Sequence, residues 1–186
     1  TLGADLATIE QVANQGIEAW IDDQMTVPQS QTLDRLNEVF AEVIEWYLVN
    51  GGNPDEVSTR PYWTIFNYTW WENHMKNDDL LRQKVALALS EIFVISIESN
   101  LSDAGFGLAD YYDILLKHSF GNFEDMLREI SLHPCMGYYL SHLNNPREIP
   151  EENIHSDENY AREIMQLFTI GLYELNQDGS RKTDGQ

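Results

Sequence analysis

Apolar residues recur at helical spacing along most of the chain. In residues 33–48 they fall every three or four positions, as they do on the buried stripe of an amphipathic helix. The same spacing appears in shorter segments on both sides, separated by glycines, prolines and polar loops. The pattern therefore predicts an all-α fold, a multi-helix bundle of about eight helices that forms a single domain over residues 1–186.

Several local signals predict where individual helices begin, end or lie in the bundle. Asn122 is a favoured N-cap for a helix over 123–131. A long helix is expected from Asp78 to about Ser96. Its second half is apolar on nearly all faces, which predicts the most buried helix of the bundle. A last helix is expected over 157–170.

Alternation replaces helical spacing only near the C-terminal end. Tyr173–Leu175 alternate like a strand, and residues 176–179 (Asn-Gln-Asp-Gly) resemble a tight turn. A partner strand would begin near Ser180, but the sequence ends at Gln186. The expectation is a small, truncated β-hairpin.

The charge of the chain bears on its partners. Asp and Glu number 31 against 11 Lys and Arg, which gives a net charge of −20 spread over the whole chain. Nucleic acid and anionic membrane surfaces need clustered cationic side chains, so neither is an expected partner. No apolar run approaches the roughly 18 residues that span a bilayer, so no membrane insertion is expected. Uniform acidity favours solubility in salty surroundings.

Cysteine and histidine usage points away from a preformed metal site. Cys135 is the single cysteine, so no internal disulfide can form. The residues around Cys135 are apolar, which favours a buried thiol over a nucleophile activated by His133. The histidines lack the close helical spacing of known metal motifs. No metal ligand or cofactor-binding residue is predicted, and the identity of any cofactor stays open.

A series of short strings along the chain carries a resemblance to a known family. The strings, in order, are Tyr111-Tyr112-Asp113, His118-Ser119-Phe120-Gly121-Asn122-Phe123, His133-Pro134-Cys135-Met136-Gly137, Glu158-Asn159-Tyr160-Ala161-Arg162-Glu163 and Leu167-Phe168-Thr169-Ile170-Gly171. Together with the segment around Trp20 they resemble the bacterial domain-of-unknown-function 1800 family over nearly the whole chain. Cys135 stands where that family commonly has Ala, and Ser156-Asp157 where it usually has Pro-Asn.

The resemblance implies a setting but no reaction. Family members are longer proteins with an export signal, so it implies a periplasmic or extracellular bacterial protein of which this chain is an N-terminal fragment. Neighbouring genes in the family imply a partner from the exported domain-of-unknown-function 1501 family. The resemblance supplies no activity and no catalytic residues.

The polar residues at the start of the last helix are the first candidate site. Glu158 and Arg162 lie one turn apart, and Glu163 follows. As an enzyme site, a glutamate would act as general acid or base with His118 or His133, and Arg162 would steer an anion. Alternatively, these residues form a structural ion pair that fixes the loop against the bundle.

The aromatic helix is the second candidate. Helical spacing places Trp63, Phe66 and Trp70 towards the core. Adjacent Trp70 and Trp71 cannot both face one side, so one of them is expected at an interface or groove, with stacking on a sugar as an alternative. The sequence thus predicts a binding or assembly module, and an undescribed hydrolase with a Glu/His site near residues 157–163 is the alternative.

Overall fold

A computed structural model describes residues 4–98 and 100–182 of the chain. The described residues form nine α-helices and two short 3-10 turns, which confirms the all-helical class with one helix more than predicted. The helices are α1 (Leu6–Gln15), α2 (Ile17–Thr26), α3 (Thr32–Val49), α4 (Trp63–Lys76), α5 (Leu80–Ile92), α6 (Gly105–His118), α7 (Phe123–Leu132), α8 (Pro134–Tyr139) and α9 (Asn159–Gln166).

Helix α6 lies at the centre of the bundle and packs against α3, α4, α5, α7 and α8. Its apolar positions are buried over its whole length, including Leu108, Tyr111, Leu115 and Leu116. The predicted central helix was the wrong one, since α5 ends at Ile92 and both Ile92 and Val94 are exposed. The apolar residues beyond Ile92 belong to an irregular segment that crosses the bundle and lines a cavity described below.

A side chain from the central helix caps the start of α3. Gln31, the residue before this helix, provides no side-chain cap. Asp113 on α6 replaces it, because its carboxylate accepts hydrogen bonds from the backbone N–H groups of Thr32 at 2.7 Å and Leu33 at 2.9 Å. These N–H groups would otherwise have no partner at the helix end. The cap fixes α3 against α6 at a defined point.

An ion-pair network joins α3 to α4. Arg35 donates to Glu72 at 2.8 Å, and Lys76 donates to the other oxygen of Glu72 at 2.6 Å. Hydrogen bonds from Arg35 and then Lys76 lower the pKa of the buried Glu72 carboxyl. This network ties the second half of α4 to α3, while the first half of α4 meets α3 beside apolar residues such as Ile65 and Ile44.

The C-terminal β-hairpin that the sequence predicts is not supported. Residues 4–98 and 100–182 contain no β-strand, and pairing near the end is limited to one isolated antiparallel bridge between Leu175 and Arg181. Tyr173 and Leu175 are exposed, so this segment has no apolar surface to pack on. A hairpin without such packing is marginal in water. The rest of the predicted second strand, residues 183–186, lies outside the described residues.

Candidate binding site

An apolar cavity of about 280 Å³ lies between α4, α6 and the segment that follows α5. None of its lining residues carries a charge, and most are aromatic or aliphatic. They are Phe66, Asn67, Trp70, Trp71, Ser90, Phe93, Ile95, Ile97, Leu108, Tyr111, Tyr112 and Leu115. Apolar pockets of this kind with few polar groups are typical of small-molecule sites.

Helix α4 places both predicted tryptophans at this cavity. Trp70 is half-buried and packs its ring against His74, with ring centroids 3.7 Å apart. Trp71 meets Trp70 edge to face at 5.0 Å and remains 52% exposed. The polar face of α4 packs into the bundle through Thr69, Glu72, Asn73 and His74, which explains why the large rings lie at the edge. Trp71 is thus a cavity wall that solvent reaches.

The polar groups near the cavity are already engaged with the protein. Nδ1 of His74 donates to the carbonyl of Trp70 at 2.8 Å, so Nε2 accepts from the hydroxyl of Tyr112 at 3.4 Å. The hydroxyl of Tyr111 donates to the carbonyl of Phe93 at 2.7 Å. Burial raises the pKa of both tyrosines and lowers that of His74, which keeps all three uncharged. The arrangement suits binding of an apolar group better than acid–base chemistry.

The glutamate and arginine candidates lie on and near α9 and do not form one cluster. Arg162 donates to Glu158 at 2.5 Å, and both side chains are exposed. Glu163 is only partly exposed, and its Oε2 atom is buried without a hydrogen-bond partner among the residues described. Arg162 thus pairs with Glu158 on the surface.

The histidine candidates each have a local partner. His133 begins α8, where its Nδ1 accepts from the N–H of Cys135 at 3.2 Å and its Nε2 donates to Asp110 at 3.2 Å. Nε2 of His118 lies 3.3 Å from Glu129. Within residues 4–98 and 100–182, no hydrogen bond or ion pair links either histidine to Glu163. Their positions match helix-end roles, and a catalytic role stays a prediction.

The lone cysteine is placed as a packing residue. Cys135 is buried beside Leu101 and Leu108. Burial, with the nearby charge of Asp110, raises the pKa of its thiol to about 11. A thiol with such a pKa is a poor nucleophile near neutral pH.

Seven of the twelve lining residues were not singled out from the sequence: Asn67, Ser90, Phe93, Ile95, Ile97, Leu108 and Leu115. The signal available was the apolar run that continues past the end of α5. The helical period extends through that run, so the sequence predicted one longer helix. It gave no sign of the turn after Ile92 that places Ile95 and Ile97 at the same cavity as Trp70.

The described residues provide neither a cluster of metal ligands nor a membrane-spanning helix. The part of the chain that the structure describes holds no group of three or more His, Cys, Asp or Glu side chains arranged for a metal ion. None of its helices is long and apolar enough to cross a bilayer.

Several residues of the family-like strings hold the fold together. Asp113 caps α3, and Asn122 caps α7 by accepting from the N–H groups of Glu124 at 2.8 Å and Asp125 at 3.2 Å. The hydroxyl of Tyr160 donates to Ser131 on α7, and its ring stacks on His142, which fixes α9 to α7 and to the loop after α8. The strings therefore mark contacts between helices.

Comparison with known proteins identifies one family. No curated protein and no solved structure matches the chain. The model of one family, described as "Protein of unknown function (DUF1800)", matches residues 1–182. Because that match spans essentially the whole sequence, the chain belongs to the DUF1800 family.

Proposed function

We propose that this protein is an exported binding module that holds an uncharged apolar group in the aromatic cavity. The observation that carries the proposal is the cavity of about 280 Å³ with Trp71 half-exposed in its wall. Export, and assembly with an exported partner of the domain-of-unknown-function 1501 family, rest on the resemblance alone.

The lining restricts the chemistry of the ligand. It offers no charged side chain, and the net charge of −20 repels anions. The volume lies near the lower end of small-molecule pockets, which span about 300–1,000 Å³. A single aromatic ring or a short aliphatic group of a larger ligand fits such a space. The amide of Asn67 and the hydroxyl of Ser90 would orient any polar atom that the group carries.

Filling the cavity tests the proposal. The neutral fluorescent probe N-phenyl-1-naphthylamine is expected to bind the wild-type protein. Ser90→Phe is expected to weaken binding by about tenfold or more, because the added ring occupies the space of the ligand. Trp71→Ala, which removes an exposed wall, is expected to weaken it by about threefold to tenfold. Probe titration by fluorescence measures each dissociation constant.

A matched tryptophan outside the cavity provides the control. Trp46 on α3 is more exposed than Trp71, 68% against 52%, and lines a different surface groove, so Trp46→Ala is expected to leave probe affinity unchanged. Circular dichroism checks that each variant folds, and Ser90→Leu replaces Ser90→Phe if the larger ring disrupts the helix. Equal loss in Trp46→Ala, or full binding in a folded Ser90→Phe, would contradict the proposal.

A hydrolase centred on Glu163 is the second candidate. The observation that favours it is the buried Oε2 atom, which has no hydrogen-bond partner among the described residues and is free to accept a proton from a substrate. A broad screen of hydrolase substrates tests it. Any activity found should fall by about a hundredfold or more in Glu163→Gln and persist in the surface control Glu158→Gln. Equal activity in Glu163→Gln would exclude this candidate.

A further inference from the structure

Helices α1 and α2 form a hairpin whose apolar side chains are left uncovered. Helix α1 contains no buried residue, and its main packing partner is α2. The large apolar side chains are widely exposed: Leu6 by 69%, Ile9 by 54% and Ile17 by 68%. Burial of such side chains against a partner is favourable, so this face is a ready source of binding energy.

Ile9 and Ile17 line an open groove between the two helices. The groove has a volume of about 520 Å³ and is almost wholly apolar. Its residues are Ala4, Thr8, Ile9, Val12, Ala13, Gly16, Ile17 and Trp20. Helix α2 is anchored to the bundle, since Gln24 bonds the carbonyl of Asp78 and the N–H of Leu81 at 3.0 Å each. The groove is therefore presented from a fixed base.

The charged side chains of the hairpin segment itself all have one sign, although Lys76 of α4 lines a neighbouring pocket together with Asp5. Residues 4–34 contain six carboxylates and no Lys, Arg or His; they are Asp5, Glu10, Glu18, Asp22, Asp23 and Asp34. Arg35, the first cationic residue after them, pairs with Glu38, Glu42 and Glu72 instead. No ion pair reaches the six carboxylates within the described residues. The hairpin thus combines an open apolar groove with unneutralised acidic edges.

That combination disfavours two of the occupants that an apolar groove can have. A second copy of the chain would bring the same carboxylates against these, at a net charge of −20 on each copy. An anionic lipid surface would be repelled for the same reason. A helix with an apolar face and cationic edges would satisfy both the groove and its charge.

We propose that the α1–α2 groove docks an amphipathic helix of a partner protein, with Leu- or Ile-type anchors on one face and Lys or Arg along its edges. Helix α1 has ten residues and a length of roughly 15 Å, which matches about three turns of the partner helix. The groove shares no lining residue with the aromatic cavity, so this inference does not depend on the proposed ligand.

A designed peptide provides the probe. An amphipathic helical peptide of leucine and lysine, labelled with a fluorophore, is titrated with the protein at low salt and at about 0.15 M ionic strength. Its scrambled sequence and a leucine–glutamate version of the same pattern serve as control peptides. The leucine–lysine peptide is expected to bind about tenfold or more tightly than either control, with affinity that falls as salt rises.

Variants locate the binding. Ile9→Ser combined with Ile17→Ser is expected to weaken the peptide about tenfold or more, because two exposed anchors are removed without disturbing the core. Glu18→Lys combined with Asp22→Lys should weaken it similarly and reduce the salt dependence. Val43→Ser combined with Val49→Ser, at exposed apolar positions of α3, is the matched control and should leave affinity within about twofold.

Three outcomes would overturn the proposal. Equal binding of the scrambled peptide would show attraction to charge alone, and equal loss in the α3 control would place the binding elsewhere. Sedimentation that shows a dimer of the wild-type chain, dissociated by the Ile9 and Ile17 substitutions, would assign the groove to a second copy. The ligand titrations of Ser90→Phe are independent of all three.

Discussion

Replacing Phe93 with alanine is expected to lower the free energy of unfolding by about 3–5 kcal/mol. Phe93 is fully buried where α5 ends, with its ring 5.0 Å from that of Phe168 and 5.9 Å from that of Phe123. The substitution removes ring contacts with two other parts of the chain and enlarges the cavity that Phe93 already lines. Urea denaturation followed by circular dichroism measures the change.

Phe123 offers a matched control for this large effect. It is the same residue type in the same cluster, but it is 48% exposed. Phe123→Ala should therefore cost much less than Phe93→Ala, because less apolar surface is returned to water. Equal losses in the two variants would mean that the segment after α5 does not bury Phe93 as described.

Loss of the Asp113 carboxylate is the second large effect. Asp113→Ala is expected to lower the free energy of unfolding by about 2–3 kcal/mol, because it removes the cap of α3 and leaves the buried N–H of Thr32 without a partner. Asn122→Ala, at the exposed cap of α7, should cost only about 1 kcal/mol. Denaturant titration of both variants compares a cap made across helices with a local one.

The pH dependence of Asp113 gives an independent check. Burial raises the pKa of this carboxyl above its ordinary value of 3.8, although the N–H groups of Leu33 and Thr32 act in the opposite direction. A raised pKa in the folded state means that the folded protein binds the proton more tightly than the unfolded chain. Stability relative to Asp113→Asn should then fall as pH rises from below 3.8 through the raised value, and stay constant above it. A difference that grows with pH would contradict the described environment.

Local signals predicted most helices correctly because they act within a few residues. Asn122 accepts from the N–H groups of its own helix, and Gly16, whose φ of +89° favours glycine, separates α1 from α2. The apolar stripe of α3 likewise predicts an amphipathic helix before any partner is known. In each case the required information lies within one or two helical turns.

The same local rules failed where distant residues decide the structure. Helical spacing predicted a long helix that ends near Ser96, but α5 ends at Ile92. The last helix was predicted over 157–170 and is shorter in the structure, Asn159–Gln166. The cap of α3 comes from Asp113, about 80 positions along the chain, which no local pattern reveals. The predicted hairpin failed for the complementary reason, since alternation by itself supplies no packing surface.

The candidate sites divide in the same way. The sequence predicted that one of Trp70 and Trp71 lies at an interface or groove, since two adjacent rings on a helix cannot both face the core. It did not identify the cavity, because that requires the turn after α5 to bring Ile95 and Ile97 against α4 and α6. The α1–α2 groove is a similar case. The sequence shows its apolar and acidic residues, but only the structure shows that the apolar ones are exposed.

The sequence by itself determined the helical class, most helix positions, the family and the acidic surface, since these follow from local spacing, short strings and composition. The tertiary structure decided that α6 is the central helix, that Asp113 caps α3 and that a cavity opens beside Trp71. The physical reason is that burial, capping between helices and cavities depend on contacts between side chains far apart in the chain. Such contacts produce no periodic pattern in a single sequence.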